Sequence, residues 1–543
     1  MSSPPLSHDA PQGFTQGAHP DENVLEKDVS LSDSLIWRRQ KEFYVQRGLK
    51  AWTEDMVPNF LTNNPLIASI YAHVVFSFIL DCMKLEWEES QTEAAWVTMR
   101  ILELGAGTGK FCFLFLRHLM TLFRSEQLPM GTVRYCMADC SEELAQEWRK
   151  SPYLSEFVDS GILEFSVLRD GESVPSGFLQ REPVNGPLVV IANYVFDSLP
   201  QDAFVIQQGR ISEALATTAG NEDAKALTKL QISYKNVSIS PNHYPDPRWN
   251  EILERYRIRF AAATVPFPSH ALKVLQQVRR LALGTVLILA GDKGFAHEDV
   301  LELSQGPPTV DFHAPNCFSQ MVNFDAIAKY FEATGGIALL PDKHFGSLSI
   351  CAFIAAQPRD EFPATQAAYR KIQQAFGPDD LFALMAGLNA YLDNVSVPQI
   401  LALLRLGAWD PITLIRLFPA LARQIRTVTG ERHDLRNAAI RTFANHYPVQ
   451  PGENVIAFYC GVILLELRFY EDALSMFRAS QQILGPSAPT SFNLGMCYEG
   501  LCQFPQALDC MIEACNLDTA LEAARDARVR LETKLSSKAK GEI

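Results

Sequence analysis

A chain of 543 residues has room for about three or four domains of ordinary size. At 47% hydrophobic and 20% charged residues it has the make-up of a globular protein with large cores, which excludes fibrous and wholly disordered readings. The net charge of −14 leaves no overall field to draw it to nucleic acid or anionic lipid, and eleven cysteines without a C-x-x-C pair or a nearby His cluster give neither a disulfide scaffold nor a zinc site.

Residues 1–30 are rich in Pro, Ser and Gly, and Asp9, Asp21, Glu22, Glu26 and Asp28 make them acidic. That composition suits a disordered tail and neither a secretory signal nor a mitochondrial transit peptide. The longest apolar runs, such as 74–80, stop short of the ~20 residues of a bilayer span. A cytoplasmic, reduced protein without membrane or nucleic-acid partners is expected.

Residues 31–98 read as a helical region, ending in a strongly apolar helix at 66–83. From 99 onward short apolar runs alternate with helical stretches: strands at 99–104, 133–138, 163–168, 187–192 and 284–289, helices at 110–125, 142–150 and 271–281. Strands that are apolar throughout and separated by helices imply a parallel sheet covered on both faces, and right-handed crossovers make it doubly wound. This Rossmann-like α/β domain spans 99–357 and closes with a strand at 348–355. Residues 207–263 break the rhythm with a polar run at 217–223, a β-like run at 230–239 and a helix near 249–260, and are read as an insertion beside the active face. After a linker at 358–363, residues 364–543 are expected to be all-α. There Gly461, Ala473, Phe477 and Ser480 recur 34 residues on as Gly495, Ala507, Met511 and Ala514. Over about 454–520 that period resembles the tetratricopeptide repeat, which implies a protein partner or substrate docked on stacked helical hairpins.

The most informative stretch is ILELGAGTGK at 101–110, a strand running through a glycine loop into a helix. Glycines let backbone approach a ligand, and the helix start offers free N–H groups. A P-loop is excluded, because Leu104 stands where its first Gly belongs and Phe111 where its hydroxyl belongs. A dinucleotide fingerprint is weakened by Lys110 at its third Gly position. What remains, Glu103-x-Gly105-x-Gly107-x-Gly109, resembles motif I of the class I S-adenosylmethionine (SAM) methyltransferases, in which the loop and its acid hold the cofactor's methionine portion. Asp139, closing the next strand, is placed to accept the ribose hydroxyls or to cap the helix behind it, where Ser141 is the better cap; Asp170 is a further candidate for the adenine amine. At the fourth strand tip the side-chain carbonyl of Asn193 is read as accepting a hydrogen bond from a proton-bearing substrate nitrogen, while Asp197 either orients the acceptor or buttresses the turn before Pro200. Asp292 and His313 are further candidates near the crevice.

An ordered set of segments makes the resemblance specific: FLTNNP at 60–65, LELGAGTG at 102–109, DCSEEL at 139–144, ANYVFDSLPQDAF at 192–204, GTVLILAGDKG at 284–294 and MVNFD at 321–325. Together they resemble the MidA-type methyltransferases, a family that includes a mitochondrial arginine methyltransferase assisting complex I assembly. The resemblance spans about residues 40–355 and implies methyl transfer from SAM to nitrogen or oxygen. Tyr194 stands where the family carries Glu, and Lys293 where it carries Tyr. A guanidinium needs a carboxylate to hold it, so the resemblance does not bring arginine with it as the substrate. The rival reading is a catalytically degenerate SAM-binding scaffold acting through its helical tail.

Overall fold

The computed structural model describes residues 23–54, 56–57, 60–90, 98–169, 171–180, 186–221, 226–342, 348–357, 360–374 and 377–539. The chain forms two compact units, one of residues 1–63 and 67–379 and one of residues 64–66 and 380–543.

The first unit opens with strand β1 (Val24–Val29), helices α1 (Leu35–Arg47) and α2 (Lys50–Thr53) and the long helix α3 (Pro65–Ser90). It continues through β2 (Met99–Leu104), α4 (Lys110–Ser125), β3 (Val133–Asp139), α5 (Glu142–Lys150), β4 (Leu163–Val167) and β5 (Leu188–Asn193). Then come β6 (Asp202–Gln207), β7 (Arg210–Ala219), β8 (Gln231–Ser238), β9 (Ala262–Phe267), β10 (Val286–Asp292), β11 (Ile337–Leu339) and β12 (Ser349–Ala355). Seven strands make the central sheet in the order β11-β12-β10-β5-β2-β3-β4. The run from β10 to β4 is parallel, as expected of strands apolar on both faces. At the other edge the expected parallel order fails. β11 and β12 pair antiparallel, and β12 pairs antiparallel with β10. Only nine residues separate β11 from β12, too few for the crossover a parallel pair requires, so the direction reverses.

Parallel partners in register point to the same face. Leu102, Leu104, Ala138, Val190, Ala192, Ile288 and Ala290 therefore share one face, where they form a buried core with Trp249, Leu272 and Phe331. The opposite face carries α3 and α4: Phe111 meets Tyr71 edge-on at 5.6 Å and Phe115 meets Tyr135 at 5.8 Å. By length and composition the Pro65–Glu86 part of α3 suffices to cross a bilayer, longer than the short apolar runs suggest, and 67% of its most apolar window is buried inside the protein.

Residues 202–267 supply most of a second, antiparallel sheet, order β1-β7-β6-β9 with β8 on the free side of β7. Two expectations are corrected here. The segment read as a tail to residue 30 contains β1, while residues 1–22 lie outside the described residues. Glu26 explains the order: it accepts the Leu35 N–H at 2.8 Å, the Thr218 hydroxyl at 2.6 Å and the Ser34 hydroxyl. The polar run read at 217–223 is strand through Ala219, where the Thr217 hydroxyl accepts the Asp28 N–H and the Thr218 hydroxyl donates to the Glu26 carboxylate of β1.

The second unit is helical. Ile456–Glu466 and Tyr470–Leu484 form one antiparallel pair, Ala488–Gly500 and Phe504–Leu517 the next. A Cβ on Gly461 would stand 2.7 Å from the Phe477 ring, and one on Gly495 would stand 2.7 Å from Met511 Cε. Glycine at these equivalent positions lets each helix lie against its partner.

Candidate active site

In the sheet order the chain winds outward from β2 to β3 and β4, then crosses back to β5 and β10, so the point where the winding reverses lies between β2 and β5. An open α/β sheet has its crevice there, outside the strand ends. The glycine loop leaves β2 at this point with Gly105, Gly107 and Gly109 all left-handed, at φ 64°, 52° and 80°. An L side chain at φ 52° is strained, and a Cβ on Gly105 would also press within 2.9 Å of Val195 Cγ2. The loop is held from beneath: the Ala106 N–H donates to Ala138 O, and Trp148 Nε1 donates to Gly107 O at 2.9 Å. The Trp52 indole lies 3.4 Å from where a Gly107 Cβ would be.

Glu103 pairs in register with both Met137 and Ile191, and Asp139 and Asn193 each follow two residues later. Alternation therefore puts Glu103, Asp139 and Asn193 on one face of the sheet, the face that carries α3 and α4. Glu103 is 4% exposed and accepts the Tyr135 hydroxyl at 2.8 Å; burial pushes its carboxyl up to about 8 despite that bond. One oxygen of Asp139 accepts the Gly107 N–H at 3.1 Å and the other the Cys140 N–H at 2.7 Å. Burial raises its carboxyl, and these backbone donors oppose the rise. Each carboxylate oxygen keeps a second lone pair for a ligand. The helix behind it is capped by Ser141, whose hydroxyl accepts the Leu144 N–H at 3.3 Å. Asp170 lies outside the described residues.

The tip of β5 departs from the sequence reading. One lone pair of the Asn193 Oδ1 accepts the Tyr71 hydroxyl at 2.8 Å, which fixes the oxygen toward Tyr71. Its Nδ2 is buried and has no hydrogen-bond partner among the described residues. Tyr194 follows at φ 53°, a strained angle for a bulky side chain at a strand tip. Asp197 is 5% exposed and Asp292 fully buried, and the two carboxyls lie near enough to act on each other's titration. Asp292 Oδ2 also accepts the Phe196 N–H at 3.1 Å, and the Ser198 hydroxyl donates to Asp197 Oδ1 at 3.0 Å. Burial raises both carboxyls, Asp197 to about 6 with Lys293 opposing the rise, and Asp292 further because the Asp197 charge adds to burial. Two buried carboxyls that act on each other in this way titrate as a pair. His313 Nε2 lies 2.8 Å from the Ser319 hydroxyl, which gives this ring a structural partner.

Sequence reasoning missed Tyr71 and Tyr135. Both lie in apolar runs that look like ordinary core, and only the fold brings them against polar partners.

Residues 83–305 match the model of a family described as "putative S-adenosyl-L-methionine-dependent methyltransferase". No curated protein shows significant similarity to the chain. Among solved structures, an uncharacterized protein of Burkholderia thailandensis is similar at 16% identity and a TM-score of 0.40, over 62% of this chain and 90% of its own. A member of the same superfamily from that organism, bound to S-adenosyl-homocysteine, is similar at 15% identity and a TM-score of 0.36, over 60% of this chain and 94% of its own. MamA of Desulfovibrio magneticus RS-1 is similar at 21% identity and a TM-score of 0.25, over 31% of this chain. The chain is a SAM-dependent methyltransferase, and its cofactor is S-adenosyl-L-methionine.

Proposed function

We propose that this enzyme moves the SAM methyl group to a nitrogen or oxygen acceptor, carried by a protein that the helical repeats of the second unit recruit. In this reading the Glu103 carboxylate and the backbone of Gly105, Gly107 and Gly109 hold the methionine portion, and Asp139 takes the ribose hydroxyls. Asn193 and Asp197 face the acceptor. The observation that carries it is the placement of Glu103, Asp139 and Asn193 on one sheet face around the glycine loop, at the reversal of strand order. SAM supplies an activated methyl on a sulfonium. The protein's part is alignment: holding nucleophile and methyl about 3–3.5 Å apart is worth roughly 7–11 kcal/mol in well-oriented systems.

The 34-residue recurrence and the close contacts at Gly461 and Gly495 support a tetratricopeptide-like reading of the second unit, whose stacked hairpins would present a docking face. The test is calorimetric titration of the full chain with SAM, followed by S-adenosyl-homocysteine release on adding lysate fractions. Binding that Glu103→Ala abolishes, with release that depends on a protein fraction, supports the reading. Binding without release from any fraction returns the scaffold alternative, and no binding removes both.

A further inference from the structure

The acceptor's chemistry can be narrowed from the β5 tip, an argument that rests on the methyltransferase reading above. Asn193 stands in register with Gly291, one residue past the Leu104–Ala192 pair, so it flanks the glycine loop at the mouth of the strand-tip crevice. Tyr71 is fully buried, and the Oδ1 of Asn193 is its hydrogen-bond partner at 2.8 Å. A Cβ on Gly291 would stand 2.7 Å from the Tyr71 hydroxyl and 2.8 Å from Asn193 Oδ1, so only glycine leaves room for that pair. A buried phenol must donate its proton or leave it unsatisfied, and burial holds the phenol protonated. The amide therefore keeps its oxygen toward Tyr71 and its Nδ2 away from it, as an orphaned donor.

We propose that Tyr71 is a positioning residue that presents the Asn193 N–H to the reacting centre, and that the methyl acceptor is an oxygen. A neutral amine has one lone pair, and attack on the methyl consumes it. A guanidinium or ammonium has only N–H groups to offer, which an N–H donor repels. An oxygen has a second lone pair, so it accepts from Asn193 while the first attacks. For a hydroxyl acceptor the O–C bond forms as the C–S bond breaks, and the sulfur keeps the bonding pair and becomes neutral S-adenosyl-homocysteine. The hydroxyl proton passes to the Asp197–Asp292 pair at the neighbouring strand tips and from there to solvent.

The probes are S-adenosyl-homocysteine and sinefungin, the SAM analogue that carries an ammonium-bearing carbon in place of the methyl sulfonium. Both are titrated calorimetrically into the wild-type full chain, Asn193→Asp and Tyr71→Phe. Wild type is expected to bind sinefungin no more tightly than S-adenosyl-homocysteine, because the ammonium meets an N–H. Asn193→Asp keeps an oxygen for Tyr71 and turns a second toward the ammonium, so sinefungin should tighten about tenfold or more while S-adenosyl-homocysteine stays within about twofold. Tyr71→Phe frees the amide to turn its oxygen round and should tighten sinefungin about threefold or more, again selectively. A purely structural role for Tyr71 would weaken both ligands together. Sinefungin binding about tenfold tighter than S-adenosyl-homocysteine in wild type, or an unchanged ratio of the two in Asn193→Asp, overturns the proposal. Failure of wild type to bind either probe removes the methyltransferase reading beneath it.

Discussion

Glu103 has to be ionised to hold the ammonium of the cofactor, yet burial pushes its carboxyl up to about 8 in the free protein. Below that pH, binding must expel a proton. One pKa unit corresponds to 1.36 kcal/mol, so SAM affinity should fall close to tenfold for each pH unit below about 8 and level off above it. Between pH 8, where the group is half ionised, and pH 6 the loss is therefore about fiftyfold, or roughly 2.3 kcal/mol. The same group acts on folding with the opposite trend. The folded state holds this proton more tightly than the unfolded chain, whose carboxyl sits near 4.5. Its stabilising effect is complete below about pH 4.5 and is lost as pH rises to about 8, a total of roughly 4–5 kcal/mol. Glu103→Gln keeps the shape and the Tyr135 contact but removes both dependences. The variant should melt higher than wild type at pH 8, equal to it near pH 5, and bind SAM weakly at every pH. Calorimetry in two buffers of different ionisation enthalpy, with thermal melts across the same range, measures each quantity. Wild-type affinity that is flat from pH 6 to 8, with no proton release, would refute the reasoning.

Gly107→Val forces a β-branched residue to φ 52° against the Trp52 indole, so cofactor binding should be abolished while the circular dichroism spectrum is kept. Asp292→Asn removes a carboxyl that burial and the Asp197 charge push well above its usual range, and with it the stability that is lost as pH rises toward that raised value, so the variant should lose less stability than wild type between pH 5 and 7; thermal melts across that window check it. Asp81 accepts the Thr365 N–H at 2.8 Å and hydroxyl at 2.7 Å, and the Ala364 N–H at 3.2 Å, at the start of the helix Pro363–Gln374. Asp81→Ala should therefore cost about 1–2 kcal/mol in urea unfolding, and Asp81→Asn should restore part of it.

The central strands and their helices are legible because each carries its own signal. β2 and β3 are short apolar runs closed by polar groups, and the glycine loop after β2 fixes where backbone must turn left-handed. β1 has no such signal. Its sequence VLEKDV mixes polarity, and its order comes from three partners of Glu26, one of them on β7. The antiparallel edge is hidden for a related reason, since the apolar run of β12 does not say from which end it enters the sheet. Glu103, Asp139, Asn193 and Asp197 are readable as polar groups at strand tips. The direction of the Asn193 amide is not, because it is set by Tyr71, a residue inside an apolar helical run whose significance exists only in contact. The pairing of Asp197 with Asp292 is likewise made by two strand tips meeting, which no spacing along the chain encodes.

A crystal structure of the full chain with S-adenosyl-homocysteine is the most direct measurement. The account predicts the ribose hydroxyls at hydrogen-bond distance, about 3 Å, from Asp139, the amino group beside Glu103, and the sulfur turned toward Asn193 at the β5 tip. A nucleoside lying on the opposite face of the sheet, or a ligand touching neither carboxylate, would contradict it.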